Sequence, residues 1–332
     1  MATAVIEVLA GMPVTHAAAA AGIEPADLAD AVDLYQSAGL AALEAQARAT
    51  HDWYPVRVEF TDWTTAESVA TQHLRPAFEE ARGVEVISRW WFVRKYPCWR
   101  IRFASQPGTT PQELGNGIGT VLDELVAAGH LVRWWTVDYE PEEYVFGGTD
   151  ATDIAHDLHC ADTLGVLDYL NRQNAPLGRR EMHILLCSAM CRSAKLEWHE
   201  LGDVWHQVAA MRPLPPDVKP ARLQEMQTDL RRLMTVDLNP NGNVFGGGAS
   251  LSFAAPWTAA YLSAGKQLGE AAHAGTLTRG LRSILAHHVI FAANRLGLSA
   301  RTQAILAHAA RDTVMNPAET ATEGDAGVAR AR

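Results

Sequence analysis

Two short alternating runs, rich in arginine and aromatic side chains, lie between Trp90 and Phe103. Side chains alternate between the two faces of a strand, so Arg100 and Arg102 share one face of the second run. Arg94 ends the first run, and guanidinium groups packed this closely repel each other unless an anion lies between them. Arginine is also the side chain that best binds a carboxylate in bidentate fashion. We therefore predict an anion-binding sheet face at these three arginines, the alternative being the solvated face of an ordinary strand.

The elements around this segment follow a recognisable order. The alternating run WYPVRVEF (53–60) predicts a strand, and a helix is expected to follow over about 65–82. After the two arginine-bearing strands come a helix over 111–129 and a further strand in LVRWWTVDYEP. The order strand, helix, strand, strand, helix, strand predicts an α+β fold with a small antiparallel, ferredoxin-like sheet and helices on one face of it.

The remainder of the chain is predicted to be helical. An Ala-rich helical module occupies residues 1–48 as an N-terminal extension, and a larger helical region begins after the glycine pair at 147–148. The main domain, 53–315, thus has an α/β part (53–148) and a helical part (149–315). The small and polar residues 317–332 predict a disordered tail. Within the helical part, helices are expected over 149–171, 179–194, 200–210, 220–234 and 256–314.

Composition and charge argue against several classes of function. The chain has 332 residues and a net charge of −10, whereas a protein that binds DNA needs an excess of Lys and Arg. The N-terminal module has the look of a helix-turn-helix, but it is acidic, so we expect it to serve in docking or packing. No apolar run is long enough to span a membrane, and no basic signal-peptide start is found. Four scattered cysteines predict reduced thiols in a cytoplasmic protein.

A histidine pair, His287 and His288, is the main candidate for proton transfer. On a helix, His287 falls near the same face as Asn294 and Arg295, and an imidazole beside such groups can move a proton. The alternative, which the spacing alone favours, is a buried and hydrogen-bonded helix histidine. No metal-ligand pattern surrounds the pair, and we expect neither a metal nor a cofactor.

Acidic side chains follow the last predicted strand, in DYEPEEYVFGG (138–148). One of Glu140, Glu142 and Glu143, which lie next to Tyr144, could pair with the arginine face or act as a base. The alternative is a surface loop whose acids are solvated.

Three potential metal ligands, His156, His159 and Cys160, cluster on the next predicted helix. No further ligand follows them at helical spacing. A metal site is therefore not expected there.

Four segments of the chain carry a resemblance to a known family. In chain order they are SRWWFVRKYPCWRIRF (88–103), YEPEEYVFGGTDATDIAHDLHCADT (139–163), LLCSAMCRSAKLEWHELGDVW (185–205) and RGLRSILAHHVIFAANRLGLSARTQAILAHAA (279–310). They resemble the thiopeptide-type bacteriocin biosynthesis proteins, which are free-standing relatives of the C-terminal elimination domain of class I lanthipeptide dehydratases. The resemblance runs from about residue 53 to residue 314 and leaves out residues 1–48.

The resemblance implies the modification of a ribosomally made precursor peptide by one of two reactions. In the first, a separate protein esterifies Ser or Thr of the peptide with glutamate taken from glutamyl-tRNA. The elimination domain then removes glutamate and leaves dehydroalanine or dehydrobutyrine. In the second, a relative joins two dehydroalanines by a formal [4+2] cycloaddition, and loss of water and leader peptide gives a pyridine ring.

The resemblance also implies roles for the residues named above. The arginines match the family's Arg-rich strand segment, which would bind glutamate carboxylates and stabilise an enolate. Family members fused to a dehydratase usually carry a histidine shortly before this R-x-R, where this chain has Cys98-Trp99. They also usually show an H-x-x-x-N-R spacing, whereas the histidine pair here lies six and seven residues before Asn294, so the choice between the two histidines stays open. We expect catalytic roles for Arg94, Arg102, His287 and His288, and substrate binding by Arg100, Glu140, Glu142, Tyr144, Asn294 and Arg295.

Of the reactions, glutamate elimination is favoured, because of the arginine face and because this chain contains no large tRNA-binding domain. The alternatives are a pyridine synthase that uses the same residues, and a non-catalytic scaffold that holds the leader peptide at an exposed strand edge. The expected partners are the precursor peptide and a separate glutamylating dehydratase protein. The sequence leaves open the identity of the precursor and whether the chain forms a homodimer.

Overall fold

The computed structural model describes residues 1–49 and 53–316 and divides the chain into two units, Met1–Asp52 and Trp53–Arg332. The predicted tail, 317–332, lies outside the described residues. The smaller unit contains three helices: α1 (Ala2–Leu9), α2 (Val14–Ala21) and α3 (Pro25–Ala49).

A small core of its own holds the first unit together. Helix α2 ends at Gly22, whose φ of 65° lies in the left-handed region that glycine adopts at low cost, and this turns the chain into α3. The buried residues of this core are Ala4, Val5, Ala17, Ala18, Leu28 and Val32.

The larger unit begins with a four-stranded antiparallel sheet. Its strands are β1 (Tyr54–Phe60), β2 (Ile87–Lys95), β3 (Cys98–Ser105) and β4 (Leu131–Thr136). They lie in the order β2-β3-β1-β4. A helical segment joins β1 to β2, and another joins β3 to β4, which confirms the predicted α+β fold with a ferredoxin-like sheet.

The first connecting segment is irregular. It contains α4 (Ala66–Val69), one turn of π-helix over Ala70–Leu74, and α5 (Arg75–Gly83). A 3₁₀ turn precedes it, and the Asp62 carboxylate accepts a hydrogen bond from the Thr64 amide at 2.8 Å there. The polar side chain at that turn therefore satisfies an amide that the helical segment leaves free.

The second connecting segment is a regular helix, α6 (Pro111–Ala127). It begins with a capping box, in which the Thr110 hydroxyl accepts from the Glu113 amide at 3.2 Å and the Glu113 carboxylate accepts from the Thr110 amide at 2.9 Å. Its buried residues are Leu114, Ile118, Leu122 and Leu125, which form the apolar stripe that packs into the core.

The sheet has one apolar face and one polar face. On the apolar face Phe78 of α5 makes edge contacts with Trp90, at 4.9 Å between ring centroids, and with Phe103, at 4.8 Å. The remaining apolar-face residues are Val56, Val58, Phe60, Phe92, Trp99 and Ile101. Helices thus cover this face, which leaves the opposite face to carry polar side chains.

The rest of the unit is helical. The helices are α7 (Glu143–Phe146), α8 (Thr149–Leu170), α9 (Arg179–Ser193), α10 (Trp198–Met211), α11 (Pro220–Met234), α12 (Ala255–Ala274), α13 (Leu281–Arg295) and α14 (Ala300–Met315). Helix α8 runs along strand β2, where the Thr163 hydroxyl accepts a hydrogen bond from the Phe92 amide at 3.2 Å. The sheet edge at β2 is therefore covered, and α8 brings its side chains next to those of β2 and β3.

Among the described residues, none of the helices combines the length and the apolar composition that crossing a membrane requires. Likewise, no three His, Cys, Asp or Glu side chains within this part of the chain are grouped so as to hold a metal ion.

Candidate active site

An arginine-lined groove opens on the polar face of the sheet. The antiparallel register places Arg57 of β1 opposite Arg100 of β3, and Pro55 opposite Arg102. The groove has a volume of about 420 Å³, with these three arginines on one side and the chain from Val137 to Val145 on the other. Within the described part of the chain, neither Arg57 nor Arg100 forms an ion pair, so their charge is free to meet a ligand.

The second wall of the groove carries the opposite charge. Asp138, Glu140, Glu142 and Glu143 all line it, together with Tyr144, whose side chain is 74 % exposed. The sequence prediction for this segment names Glu140, Glu142 and Tyr144 as substrate-binding residues, and the structure brings these three to the groove. A ligand in the groove would therefore face guanidinium groups on one side and carboxylates on the other.

Arg94 does not belong to this face, and the prediction of three arginines on one face is wrong. The β2–β3 register pairs Arg94 with Trp99 and Val93 with Arg100. Arg94 therefore lies on the apolar face, with its guanidinium 4.8 Å above the Trp99 ring. It is bonded to Glu67 of α4, so its charge is already compensated inside the protein.

The same carboxylate, Glu67, also binds Arg179 of α9, with oxygen–nitrogen distances of 2.6 and 2.7 Å. The two guanidiniums lower the pKa of Glu67 against the raising effect of its burial, which is the largest single influence. This trio joins strand β2, helix α4 and helix α9, which is a structural arrangement. A catalytic role of Arg94 stays a prediction without support from its position.

Arg102 lies between the groove and the protein interior. Its guanidinium carbon is 4.3 Å from the centre of the Trp91 ring and 5.1 Å from that of Tyr139. Burial lowers the pKa of Arg102 to about 10, so it remains charged at neutral pH. Its buried Nε has no hydrogen-bond partner among the described residues, and its Nη1 reaches only the Arg100 carbonyl, at 3.5 Å. The group is held by aromatic rings and not by an acid, which leaves its donors for a ligand.

A hydrogen-bonded chain stands beside Arg102. The Trp53 indole Nε1 donates to His156 Nδ1 at 3.2 Å, and His156 Nε2 lies 2.6 Å from the Tyr139 hydroxyl. Burial lowers the pKa of His156 to about 4, with the charges of Arg89 and Arg102 adding to the effect. Burial also raises the pKa of Tyr139. Both rings are therefore neutral at pH 7.

A small inner cavity of about 20 Å³ lies behind the groove, which is roughly the room that one water molecule needs. Tyr139, Glu142 and Arg102 line both spaces, so the cavity continues the groove inwards. His159 also lines it, stacked on Phe291 with 5.4 Å between ring centroids. Its two ring nitrogens are buried without partners among the described residues, and burial lowers its pKa well below the usual value.

The predicted histidine pair lies outside both spaces. His288 is buried, and its ring centroid lies 4.9 Å from that of Phe146 and 6.2 Å from that of His159. Burial lowers its pKa to about 3. His287 Nδ1 donates to the Ser283 carbonyl of its own helix at 2.8 Å. Neither ring lines the groove or the inner cavity, so their catalytic roles stay predictions.

The structure also does not bring Asn294 and Arg295 to the groove. Arg295 is 1 % exposed and is bonded to Asp162 of α8, which is 0 % exposed. Asn294 accepts a hydrogen bond from Gln303 at 2.9 Å. Both side chains have partners inside the helical region, where Asp162 also accepts hydrogen bonds from the side chains of Trp257 and Tyr261, each at 2.8 Å.

Sequence reasoning missed Arg57, Tyr139 and the role of His156. Arg57 alternates with buried valines in β1, but only the register places it opposite Arg100. Tyr139 and His156 are 17 residues apart, and their contact depends on how α8 passes the sheet. The one signal in the sequence was the cluster of His156 and His159, since both are polar residues on the buried side of a helix.

Comparison with known proteins identifies the family. The family model described as the C-terminal part of the lantibiotic biosynthesis dehydratase matches residues 53–314. The chain belongs to this family. This confirms the family that the four sequence segments resemble, and it places the chain in the biosynthesis of ribosomally made, post-translationally modified peptides.

Solved structures of other proteins share the fold. The tRNA-dependent lantibiotic dehydratase MibB from Microbispora sp. 107891 is 20 % identical, with a TM-score of 0.57 over 79 % of this chain and 28 % of that chain. TsrL is 16 % identical, with a TM-score of 0.55, and the match covers 79 % of this chain and 97 % of that chain. The pyridine synthase TbtD from thiomuracin biosynthesis is 17 % identical, with a TM-score of 0.52, and the match covers 80 % of this chain and 98 % of that chain. No curated protein matches the chain.

Proposed function

We propose that this protein removes glutamate from glutamylated serine or threonine residues of a precursor peptide and leaves dehydroalanine or dehydrobutyrine. The observation that supports this most is the charge pattern of the groove. Arg57, Arg100 and Arg102 line one wall, and the carboxylates of the segment 137–145 line the other. Such a groove complements a ligand that carries both signs of charge.

A glutamyl ester is a ligand of this kind. Its free amino group is cationic, its side-chain carboxylate is anionic, and elimination releases a second carboxylate from the ester. The arginine wall would hold the side-chain carboxylate and stabilise the departing one, because Arg pairs with carboxylates in bidentate fashion. Glu140 and Glu143 of the acidic wall would hold the ammonium group. Dehydroalanines, the reactants of a pyridine synthase, carry no such charges.

The reaction needs a base, a site for the enolate and a leaving group. A base takes the proton from the Cα atom, the electron pair forms the C=C bond, and the C–O bond breaks with its electrons leaving on the glutamate carboxylate. Glu140 and Glu142 both line the groove and the inner cavity, and the charge of Glu142 also acts on Arg102, so the Glu142 carboxylate is our candidate for the base. Arg102, which lines both spaces as well, would stabilise negative charge on the enolate oxygen and on the leaving group.

The test is mass spectrometry of a precursor peptide that is co-expressed with its glutamylating partner, with and without this protein. We expect glutamyl adducts to persist in its absence and to become dehydrated residues in its presence. Replacing Arg100 by Gln should leave adducts and slow their loss by about 10- to 100-fold, since a charge-assisted hydrogen bond contributes about 1.5–3 kcal/mol. The matched control is Arg133→Gln, because Arg133 also lies in the sheet but pairs with Glu59 and does not line the groove.

Two other results would each contradict elimination. Complete dehydration without the protein, followed by leader release and a macrocycle when it is added, would identify a pyridine synthase. No change in the peptide in either state would identify a non-catalytic scaffold that holds the leader peptide. Equal loss of activity in Arg100→Gln and Arg133→Gln would place the anion site elsewhere on the protein.

A further inference from the structure

The hydrogen-bonded chain of Trp53, His156 and Tyr139 has a fixed direction. An indole N–H can only donate, so the Trp53 contact at 3.2 Å requires His156 Nδ1 to accept. A neutral imidazole has one donor nitrogen and one acceptor nitrogen, so His156 Nε2 must carry the proton. At 2.6 Å, that N–H donates to the Tyr139 hydroxyl oxygen.

The phenol hydrogen of Tyr139 is therefore left for another acceptor. An oxygen that accepts from His156 cannot also donate to it, and no other acceptor for Tyr139 is found in the described part of the chain. The Tyr139 side chain lines both the groove and the inner cavity, and the Arg102 guanidinium lies 5.1 Å from the centre of its ring. The phenol hydrogen of Tyr139 thus faces the space that Arg102 and Glu142 also line.

We propose that Tyr139 is a dedicated hydrogen-bond donor to the substrate, directed at the oxygen on which negative charge develops, and that His156 and Trp53 are the positioning residues that hold it in this role. The assignment rests on the proposed elimination, in which that oxygen is the backbone carbonyl of the glutamylated residue. Donation by a phenol and by a guanidinium from one side would stabilise the enolate without any proton leaving the enzyme.

Two further features suit this role. Burial raises the pKa of Tyr139, so the phenol keeps its hydrogen throughout the working range of pH. Burial also keeps His156 neutral, since its pKa is lowered to about 4, and a neutral ring is what the Trp53 contact needs. Trp53 itself is packed between Trp91, at 5.9 Å between ring centroids, and the Arg89 guanidinium, at 5.2 Å.

The first test is direct and needs no substrate. In protein labelled with ¹⁵N-histidine, the NMR signals of the His156 ring are assigned by their disappearance in His156→Gln. Between pH 6 and 8 they should show a protonated Nε2 and an unprotonated Nδ1. Replacing Trp53 by Phe removes the donor that fixes the ring and should bring the second tautomer into the spectrum. A His156 ring with a protonated Nδ1 in the unaltered protein would overturn the proposal.

The second test measures single-turnover elimination on a glutamylated precursor peptide. Tyr139→Phe should lower the elimination rate by about 100-fold and leave KM within about 2-fold, as expected for a donor that acts in the transition state. His156→Leu should approach the same loss. His156→Gln, whose amide N–H can replace the Nε2 donor, should recover at least about 10-fold of it. Trp53→Phe should lower the elimination rate by only about 3- to 10-fold, because the His156 imidazole can still adopt the productive tautomer.

The outcomes separate this proposal from the proposed function. An unaltered protein that does not eliminate glutamate contradicts the function, while the tautomer measurement still decides whether Tyr139 is a donor. If Tyr139→Phe eliminates glutamate at the unaltered rate, the donor role is overturned and the proposed function stands. A rise in KM that accounts for the whole effect would overturn it too, because Tyr139 would then serve in binding alone.

Discussion

Two arginines with buried guanidinium nitrogens have different roles because their neighbours differ in charge. Arg94 is bonded to Glu67, so its charge is neutralised inside the protein. Arg102 contacts aromatic rings and a backbone carbonyl, and it forms no ion pair with any of the described residues. A charge held in such surroundings without a counter-ion is costly, and an anion that binds beside it recovers part of that cost. At the scale of single residues, it is therefore Arg102, and not Arg94, that is prepared to meet an anionic ligand.

The buried imidazole of His288 makes the free energy of unfolding depend on pH. Its pKa is lowered to about 3 in the folded protein, whereas an exposed histidine in the unfolded chain titrates near 6.5. Below pH 6.5 the unfolded chain thus binds the extra proton, so this contribution to stability is complete above pH 6.5 and is lost as the pH falls. His288→Leu should reduce the fall in unfolding free energy between pH 6 and pH 5 by about 1 kcal/mol.

Urea unfolding at a series of pH values between 5 and 7 measures this slope. Leu285→Ala is the control, because Leu285 is buried in the same helix and does not titrate. It should lower the unfolding free energy by about 2–5 kcal/mol at every pH and leave the slope unchanged. Parallel pH profiles for the unaltered protein and His288→Leu would show that His288 is protonated, or exposed, in the folded state.

At the scale of elements, the crossing of α12 over α9 depends on a glycine. A Cβ atom on Gly265 would lie 2.1 Å from the Met190 carbonyl oxygen, so the two helix backbones could not keep their present separation. Gly265→Ala should therefore lower the free energy of unfolding by about 1–3 kcal/mol through overpacking. The measurement is again urea unfolding.

A second helical glycine provides the matched control. A Cβ atom on Gly119 of α6 would lie 3.5 Å from the Trp134 ring, which is ordinary van der Waals contact. Gly119→Ala should therefore raise stability by up to about 1 kcal/mol through helix propensity alone. If both substitutions change the free energy of unfolding equally, the two helix backbones at the α9–α12 contact are farther apart than in this structure.

Most of the element order could be predicted from the sequence, and the arrangement of the site could not. Alternation in β1 and β3 and the periodicity of α6 and α8 depend on nearest neighbours, which the sequence contains. The same alternation shows that Trp90, Phe92 and Arg94 point to one face of β2. Only the pairing of β2 with β3 shows that this face is the apolar one and not the face of Arg100 and Arg102. The contact of Tyr139 with His156 depends on the path of α8 along the sheet, which no local pattern specifies.

At the scale of the whole molecule, charge is unevenly distributed. The chain has a net charge of −10, yet three arginines without ion pairs in the described residues share one groove. The first unit is acidic over its described side chains, with Glu7, Asp27 and Asp33 among its charged residues. A groove that carries both signs of charge, within an acidic protein, favours a small zwitterion over a polyanion such as nucleic acid.

The two units have separate buried cores, and the family match begins at residue 53. A domain with its own core can fold alone, so removal of residues 1–48 should change the unfolding free energy of the larger unit by less than about 0.5 kcal/mol. All ten tryptophans lie at or after Trp53, so their fluorescence reports on the larger unit alone in both proteins. A loss of more than about 1 kcal/mol would mean that the N-terminal helices stabilise the larger unit. Unchanged stability with slower elimination would instead assign them to docking of the peptide or of the glutamylating partner.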